Sequence, residues 1–234
     1  MSQRFFVTGT DTDAGKTLVT AALLLKASQQ GLSAFGLKPV AAGCEQQQGQ
    51  WRNSDALLHQ QYSTPPTVYE EHNPVVLAAA LAPHIAAAYE NKRLSVSDLM
   101  ARCQPALAQP HDLLLVEGAG GWLVPLNNRE TLADFASELG YDVILVVGMK
   151  LGCINHALLS EQAIRNSGLR LAGWVANSPA ATMQAYEENY AFLQQHFGQA
   201  GVPCLGAIPA INGLNPACPE HLSEIAAKLS LPEA

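Results

Sequence analysis

The stretch that most restricts the fold is the apolar run Arg4-Phe5-Phe6-Val7-Thr8, followed by Gly9-Thr10-Asp11-Thr12-Asp13-Ala14-Gly15-Lys16-Thr17, with the helical composition of Lys16–Gln30 continuing directly from it. A buried strand that runs through a glycine loop into a helix leaves the N–H groups of the first helical turn unpaired. The positive end of the helix dipole points at the same spot, so the segment makes an anion site. In such a loop Lys16 would reach β- and γ-phosphates and Thr17 would set its hydroxyl on Mg²⁺. The loop is one residue longer than the strict phosphate-loop pattern, with five residues between Gly9 and Gly15. A surface turn is the competing reading, and the flanking strand and helix speak against it.

The rest of the chain repeats the alternation. Strands are expected over Arg4–Thr8, Ala34–Pro39, Leu113–Glu117, Val143–Val147, Leu171–Ala176 and Cys204–Ile208. Most are continuous apolar runs rather than alternating ones, the mark of a parallel sheet covered on both faces. Helices are expected over Lys16–Gln30, Ala78–Tyr89, Val96–Ala108, Thr131–Leu139, His156–Asn166, Met183–Phe197 and Pro219–Leu229. Ser95 or Ser97 would cap the helix containing Asp98, and Gly31, Gly140 and Gly168 lie just past helix ends. In the alanine-rich Ala78–Ala88 tract, Pro83 would break or kink the helix. The polar stretch Ala41–Pro74 is expected to hold binding loops. The fold class is therefore α/β: a doubly wound, mainly parallel sheet with helices on both faces. With no repeat and no Ser/Gly linker, residues 1–234 read as one domain.

Composition narrows the partners. Charged residues are 14% of the chain and apolar ones 48%, which excludes a disordered chain. A net charge of −7 argues against a broad nucleic-acid surface. The longest apolar run, Val75–Ala82, is too short to span a bilayer. The N-terminus shows no signal-peptide core. The five cysteines, Cys44, Cys103, Cys153, Cys204 and Cys218, are scattered, as expected of reduced thiols in a cytoplasmic protein.

Four further features carry chemistry. Leu113-Leu114-Leu115-Val116-Glu117-Gly118-Ala119-Gly120-Gly121 is a strand that ends in a carboxylate, suited to the metal side of a nucleotide, and its glycines admit close approach of a ligand. Lys38 ends the second strand and would emerge beside the phosphate loop, with Asp55 in Arg52-Asn53-Ser54-Asp55 as a second acidic candidate. Solvated strand ends are the alternative for each. Gly148 to His156 is again strand, glycine and helix start, able to hold a carboxylate on free N–H groups, with His156 read as a local hydrogen-bonding group. Asn177, at another strand end, reads equally as a nucleobase ligand or as a turn residue.

Taken together, the Gly9–Thr17 loop, Lys38-Pro39-Val40-Ala41, Arg52-Asn53-Ser54-Asp55, Val116–Gly121, Lys150–His156 and Gly173-Trp174-Val175-Ala176-Asn177 closely resemble the dethiobiotin synthetase family, a P-loop NTPase-like fold, in order from Arg4 to about Pro209. The resemblance implies ATP- and Mg²⁺-dependent closure of the ureido ring of dethiobiotin from 7,8-diaminopelargonic acid and CO₂, through a carbamate and its anhydride with phosphate. It implies that Thr12, Lys16 and Lys38 serve the reacting centre. Asp13, Ala14, Gly15, Lys16, Thr17 and Leu18 would hold the phosphates of ATP, with Asp55, Glu117, Gly118, Ala119 and Gly120 beside them. Mg²⁺ would lie on Thr17, Asp55 and Glu117. Asn177, Ser178, Pro209, Ala210 and Ile211 would frame the adenine. Finally, it implies a homodimer in which Gly152, Cys153, Ile154 and Asn155 of one subunit, together with Lys38, bind substrate held mainly by the other.

Two other classes compete: another ATP-dependent amide- or carbamate-forming synthetase of the same branch, and a dimeric partition- or septum-type ATPase switch. The latter usually carries an extra lysine early in the loop, where this chain has Thr10 and Asp11, and often a basic C-terminal membrane helix, where Pro219–Ala234 is acidic to neutral.

Overall fold

A computed structural model describes residues 2–179 and 183–233. In chain order the elements are β1 (Gln3–Gly9), α1 (Lys16–Gln29), β2 (Ala34–Leu37), β3 (Val40–Ala42), β4 (Glu45–Gln47), β5 (Gln50–Arg52), α2 (Ser54–Tyr62), α3 (Tyr69–His72), β6 (Val75–Leu77) and α4 (Pro83–Tyr89). Then come α5 (Val96–Leu107), β7 (Leu113–Glu117), α6 (Leu132–Leu139), β8 (Asp142–Gly148), α7 (Cys153–Asn166), β9 (Leu171–Asn177), α8 (Tyr186–Gln199), β10 (Cys204–Ile208) and α9 (Pro219–Ala227). The six expected strands form one parallel sheet in the order β10-β9-β8-β1-β7-β2.

Continuous apolar runs become two cores because successive side chains in a strand point to opposite faces. Phe5, Val7, Leu113, Leu115, Ile144 and Val146 pack with α1 and α9 on one face. Phe6, Leu114, Val116, Val143, Leu145 and Val147 pack with α5, α6, α7 and α8 on the other. β1 lies between β7 and β8, so its C-terminal end opens at the centre of the sheet, where α/β folds bind ligands.

Several expectations are corrected. The helix expected over Ala78–Tyr89 spans only Pro83–Tyr89, and Pro83 starts it rather than kinking it, because a first-turn proline loses no hydrogen bond. Residues 78–82 are held outside the helix: the Ala78 N–H donates to Glu90 and the Ala79 carbonyl accepts from the Gly43 N–H at 3.0 Å. The helix expected from His156 begins at Cys153, behind Gly152. The one expected from Met183 begins at Tyr186, and the last ends at Ala227. β2 stops at Leu37, leaving Lys38 and Pro39 beyond the strand. Ala41–Pro74 is not simply loop: it carries short strands, α2, α3 and a buried polar layer. Ser95 is the cap of α5, donated to by the Asp98 N–H.

That layer includes a column in which Phe35 stacks on His72 (4.4 Å between ring centres) and on His111 (4.9 Å). His72 is also bonded to the Gly36 carbonyl and to Thr67. Burial pushes the His72 imidazole down to about 4, against a weaker opposing pull from the Gly36 carbonyl. A depressed folded-state value means the contribution is whole above the unfolded value near 6.5 and is lost as pH falls toward 4. Stability should therefore drop by about 3 kcal/mol over that window through this residue alone. Urea unfolding at pH 7 and pH 4 should show a shallower pH dependence for His72→Gln than for the wild type, although the variant is less stable at pH 7.

Candidate active site

The phosphate-loop segment is fastened at both ends. Beyond β1, the Thr10 N–H donates to the Val146 carbonyl at 2.9 Å, and the Gly148 N–H donates to the Thr10 hydroxyl at 3.1 Å. Gly15 caps α1 in the left-handed region (φ 96°). A Cβ there would fall 2.1 Å from the Asn177 amide nitrogen, which itself donates to the Ala14 carbonyl at 2.9 Å. Asn177 therefore braces the loop, a role its strand-end position alone did not indicate. The first turn of α1 carries neither an acidic residue nor a side-chain cap, so its N–H groups are left for a ligand.

Lys16 arches back over this loop, its ammonium donating to the Asp11 carbonyl at 3.0 Å and the Thr12 carbonyl at 3.2 Å. Burial, and secondarily the charge of Lys38, pull its pKa down to about 8.

The second half of the site is built on the sheet register. Leu37 pairs with Val116, so the next residues, Lys38 just past β2 and Glu117 at the end of β7, lie side by side. The Lys38 ammonium lies 2.6 Å from Glu117 Oε1 and 3.0 Å from Asp55 Oδ2, and it donates to the Gly118 carbonyl at 3.1 Å. Glu117 Oε1 also accepts from the Thr17 hydroxyl at 2.9 Å, and Oε2 lies 2.8 Å from His59 Nε2. Burial would raise the Glu117 carboxyl, but Lys38 and then His59 outweigh it and hold it far below the usual carboxylate range. Burial likewise opposes the charge on Lys38, yet Glu117 and Asp55 keep its ammonium firmly protonated. These charged groups are tied together because an unpaired charge at such depth would be prohibitively costly.

Both acidic arms depend on α2. The Asn53 side chain caps it, accepting from the Asp55 and Ala56 N–H groups. Asp55 and His59 are four residues apart and so project from one face, the first toward Lys38 and the second toward Glu117.

Above this centre is a cavity of about 740 Å³, a size suited to a small-molecule site. Thr12, Asp13, Gly15, Lys16, Thr17, Lys38, Asp55, Ala119 and Gly120, all candidates from the sequence, line it. Glu117 does not; it is fully buried behind Lys38 and Thr17. Ala80, Leu81 and Ala82, from the segment outside the expected helix, and Pro83 at the start of α4 form a lip that the sequence did not reveal. Gly152–Asn155 lie outside the cavity, at the start of α7, where the neighbouring Leu151 is 97% exposed. Just before them, Lys150 forms an ion pair with Asp11 of the loop. Ser178 and Pro209–Ile211 also lie off the cavity wall. His59 was missed in the sequence, and its four-residue spacing from Asp55 was the available signal.

Residues 3–217 match the family described as "AAA domain". The ATP-dependent dethiobiotin synthetase of Cellvibrio japonicus is 58% identical over 208 residues, 89% of this chain and 90% of that protein. That of Marinobacter nauticus is 47% identical over 206 residues, 88% and 87% of the two chains. Among solved structures, a ParA family ATPase from Chlorobium tepidum superposes with a TM-score of 0.57 at 9% identity, covering 98% of this chain and 100% of that one. The cell division ATPase MinD from Pyrococcus furiosus gives 0.52 at 15% identity, covering 94% and 89%. At such identities the structural likeness shows the fold alone: a parallel sheet covered by helices.

The depressed Lys16 value has a measurable consequence. Near pH 8 the free ammonium is about half deprotonated, and a bound polyphosphate favours its charged form, so binding should take up a proton there. Affinity for a nucleoside triphosphate should fall as pH rises through 8 and beyond. Titration calorimetry in two buffers of different ionisation enthalpy checks the uptake, which should disappear in Lys16→Met.

Proposed function

The chain belongs to the ATP-dependent dethiobiotin synthetase family, and from that membership we propose which residues perform each part of its reaction. The enzyme is an ATP-dependent cyclo-ligase that closes the ureido ring of dethiobiotin. One amine of 7,8-diaminopelargonic acid adds to CO₂ to give a carbamate and releases a proton. A carbamate oxygen then attacks the γ-phosphorus of ATP, expelling ADP. The second amine attacks the carbonyl carbon of the mixed anhydride, and phosphate leaves as the ring closes.

The observation that carries the assignment is that Lys16 and Lys38, one on the phosphate loop and one braced by Glu117 and Asp55, face the same cavity. In our reading, Lys16 and the N–H groups from Asp13 to Leu18 bind the phosphates. Lys38 neutralises the carbamate and the transferring phosphoryl group, and Thr12 lines the reacting centre. Fixed positive groups at the points where charge develops lower the barrier, and in-line positioning supplies much of the rest. Gly118, Ala119 and Gly120 bring backbone close to the ligands. Asn177, Ser178, Pro209, Ala210 and Ile211 frame the adenine.

We assign Mg²⁺ as the cofactor: of the expected Thr17, Asp55 and Glu117, the first two line the cavity and would hold it together with phosphate oxygens, while Glu117, buried behind them, would act through the Thr17 hydroxyl it accepts from. The Thr17 hydroxyl and Asp55 carboxylate oxygens are the hard donors it prefers, and Asp55 keeps a face to solvent with its side chain 34% exposed. When bound, Mg²⁺ would supply charge neutralisation between the β- and γ-phosphates.

Residues 1–234 are assigned to one domain, of which residues 1, 180–182 and 234 lie outside the described residues. A cytoplasmic location is supported by five free thiols. No described helix is long and apolar enough to cross a membrane, and the net charge of −7 disfavours nucleic acid as a partner.

We further assign a homodimer in which the N–H groups of Gly152–Asn155 bind the carboxylate of substrate seated in the partner's cavity. The exposed Leu151 and Leu159 on this side of α7 favour a covering subunit.

Two outcomes are expected. Lys38→Ala should cut phosphate release in the presence of diamine and bicarbonate by about 10²–10³-fold while ATP still binds. A loss confined to ATP affinity would remove Lys38 from the chemistry. Gly152 sits at φ 93° with open space around it, so Gly152→Val acts through the backbone and should raise the KM for the diamine far more than that for ATP. Mixed dimers of Gly152→Val with Lys16→Gln subunits should regain activity through one intact composite site. Heterodimers that form and stay inactive would place the carboxylate site within one chain.

A further inference from the structure

His59 is fully buried, as is the carboxylate it faces, and it reaches Glu117 from α2, the helix that also carries Asp55. The other oxygen of that carboxylate already serves two donors, the Lys38 ammonium and the Thr17 hydroxyl. A carboxylate accepting three groups through one fixed geometry cannot rotate about its terminal bond without breaking at least one contact. We infer that His59 is a positioning residue: its Nε2–H holds Glu117 Oε2 and thereby aims Oε1 at Lys38 and Thr17, fixing the lysine that faces the reacting carbamate.

Three observations carry this. The first is the 2.8 Å contact itself, in which an ionised carboxylate only accepts, so the ring nitrogen must donate. The second is the other ring nitrogen. His59 Nδ1 is buried and has no hydrogen-bond partner among the described residues, so the ring is held by its one polar contact, that of Nε2 with Glu117. The third is the fit of the ring. Gly36 on β2 lies flush against it, and a Cβ at that position would come within 3.0 Å of both His59 Cβ and Cγ and 2.8 Å of Leu24 Cδ1. The ring is thus locked by packing as well as by its hydrogen bond. The same helix face delivers Asp55 to Lys38, so α2 grips the buried ion pair at both ends.

The inference rests on the assignment of Lys38 to the chemistry, and its test separates the two. His59→Leu removes the donor at similar bulk. His59→Gln restores an amide N–H near the position of Nε2, whereas His59→Asn is too short to do so. Small misplacements at a reacting centre cost about 10²-fold, so kcat in His59→Leu and His59→Asn should fall by roughly 10- to 100-fold with ATP affinity near the wild-type value. His59→Gln should recover most of that loss.

In the unsubstituted protein, nitrogen-15 NMR should show His59 as the Nε2–H tautomer with a solvent-protected imidazole proton, a readout that needs no variant to fold. An Nδ1–H tautomer would overturn the inference. So would a folded His59→Leu enzyme with wild-type kcat, or equal losses in the Gln and Leu variants tracking their melting temperatures. If Lys38→Ala is inactive while His59→Leu turns over normally, only the role of His59 fails. If Lys38→Ala itself turns over normally, the assignment of Lys38 fails and this inference falls with it.

Discussion

The ion pair of Lys38 and Glu117 is the contact on which the site is organised. Both groups are almost completely removed from water, and breaking such a pair by deleting one partner costs about 3–5 kcal/mol because the other charge is left stranded. Every neighbouring element is therefore recruited to it. Adjacent strand ends deliver the two residues, α1 supplies Thr17 and α2 supplies Asp55 and His59. Even the carbonyl of Lys38 is held, accepting from the Asn73 side chain at 2.8 Å. Two cations thus face the cavity with very different characters: Lys38 is fixed and firmly charged, whereas Lys16 is tethered only to loop carbonyls and is easily discharged. Under the proposed reaction, that division would keep one charge at the reacting atoms and leave the other to meet the phosphates.

How much of this was legible in the sequence depends on how local the signal was. The six sheet strands and the phosphate loop could be read because an unbroken run such as Leu113–Val116 has few alternatives to a doubly covered parallel strand. Lys38, Asp55 and Glu117 could be read as strand-end or motif residues. The sequence could not show that Glu117 lies behind the cavity rather than on its wall, because that depth is set by Lys38 and Thr17 from distant segments. His59 escaped for the same reason: its partner is 58 residues away, and a histidine in a polar stretch carries no mark of burial.

Residues 78–82 failed in the opposite direction. Alanine composition favours helix, but tertiary hydrogen bonds from Gly43 and Glu90 claim the backbone, and propensity yields to such contacts. Within Ala41–Pro74, expected to hold binding loops, the short elements and the buried layer were not legible, because three-residue strands are too short to show a period and the buried polar residues are satisfied by partners that only the fold brings near.

The brace between Gly15 and Asn177 bears on how this sequence can drift. The two positions are 162 residues apart in the chain yet occupy one volume, since any side chain at residue 15 would overlap the Asn177 amide. Shortening Asn177 to make room would take away the donor to the Ala14 carbonyl. Enlarging residue 15 first would force an L-residue into a left-handed conformation as well as into a clash. Either order of change passes through a damaged loop, so no single-step path leads away from this pair. The two positions are sterically bound to each other, although nothing in their local sequence links them.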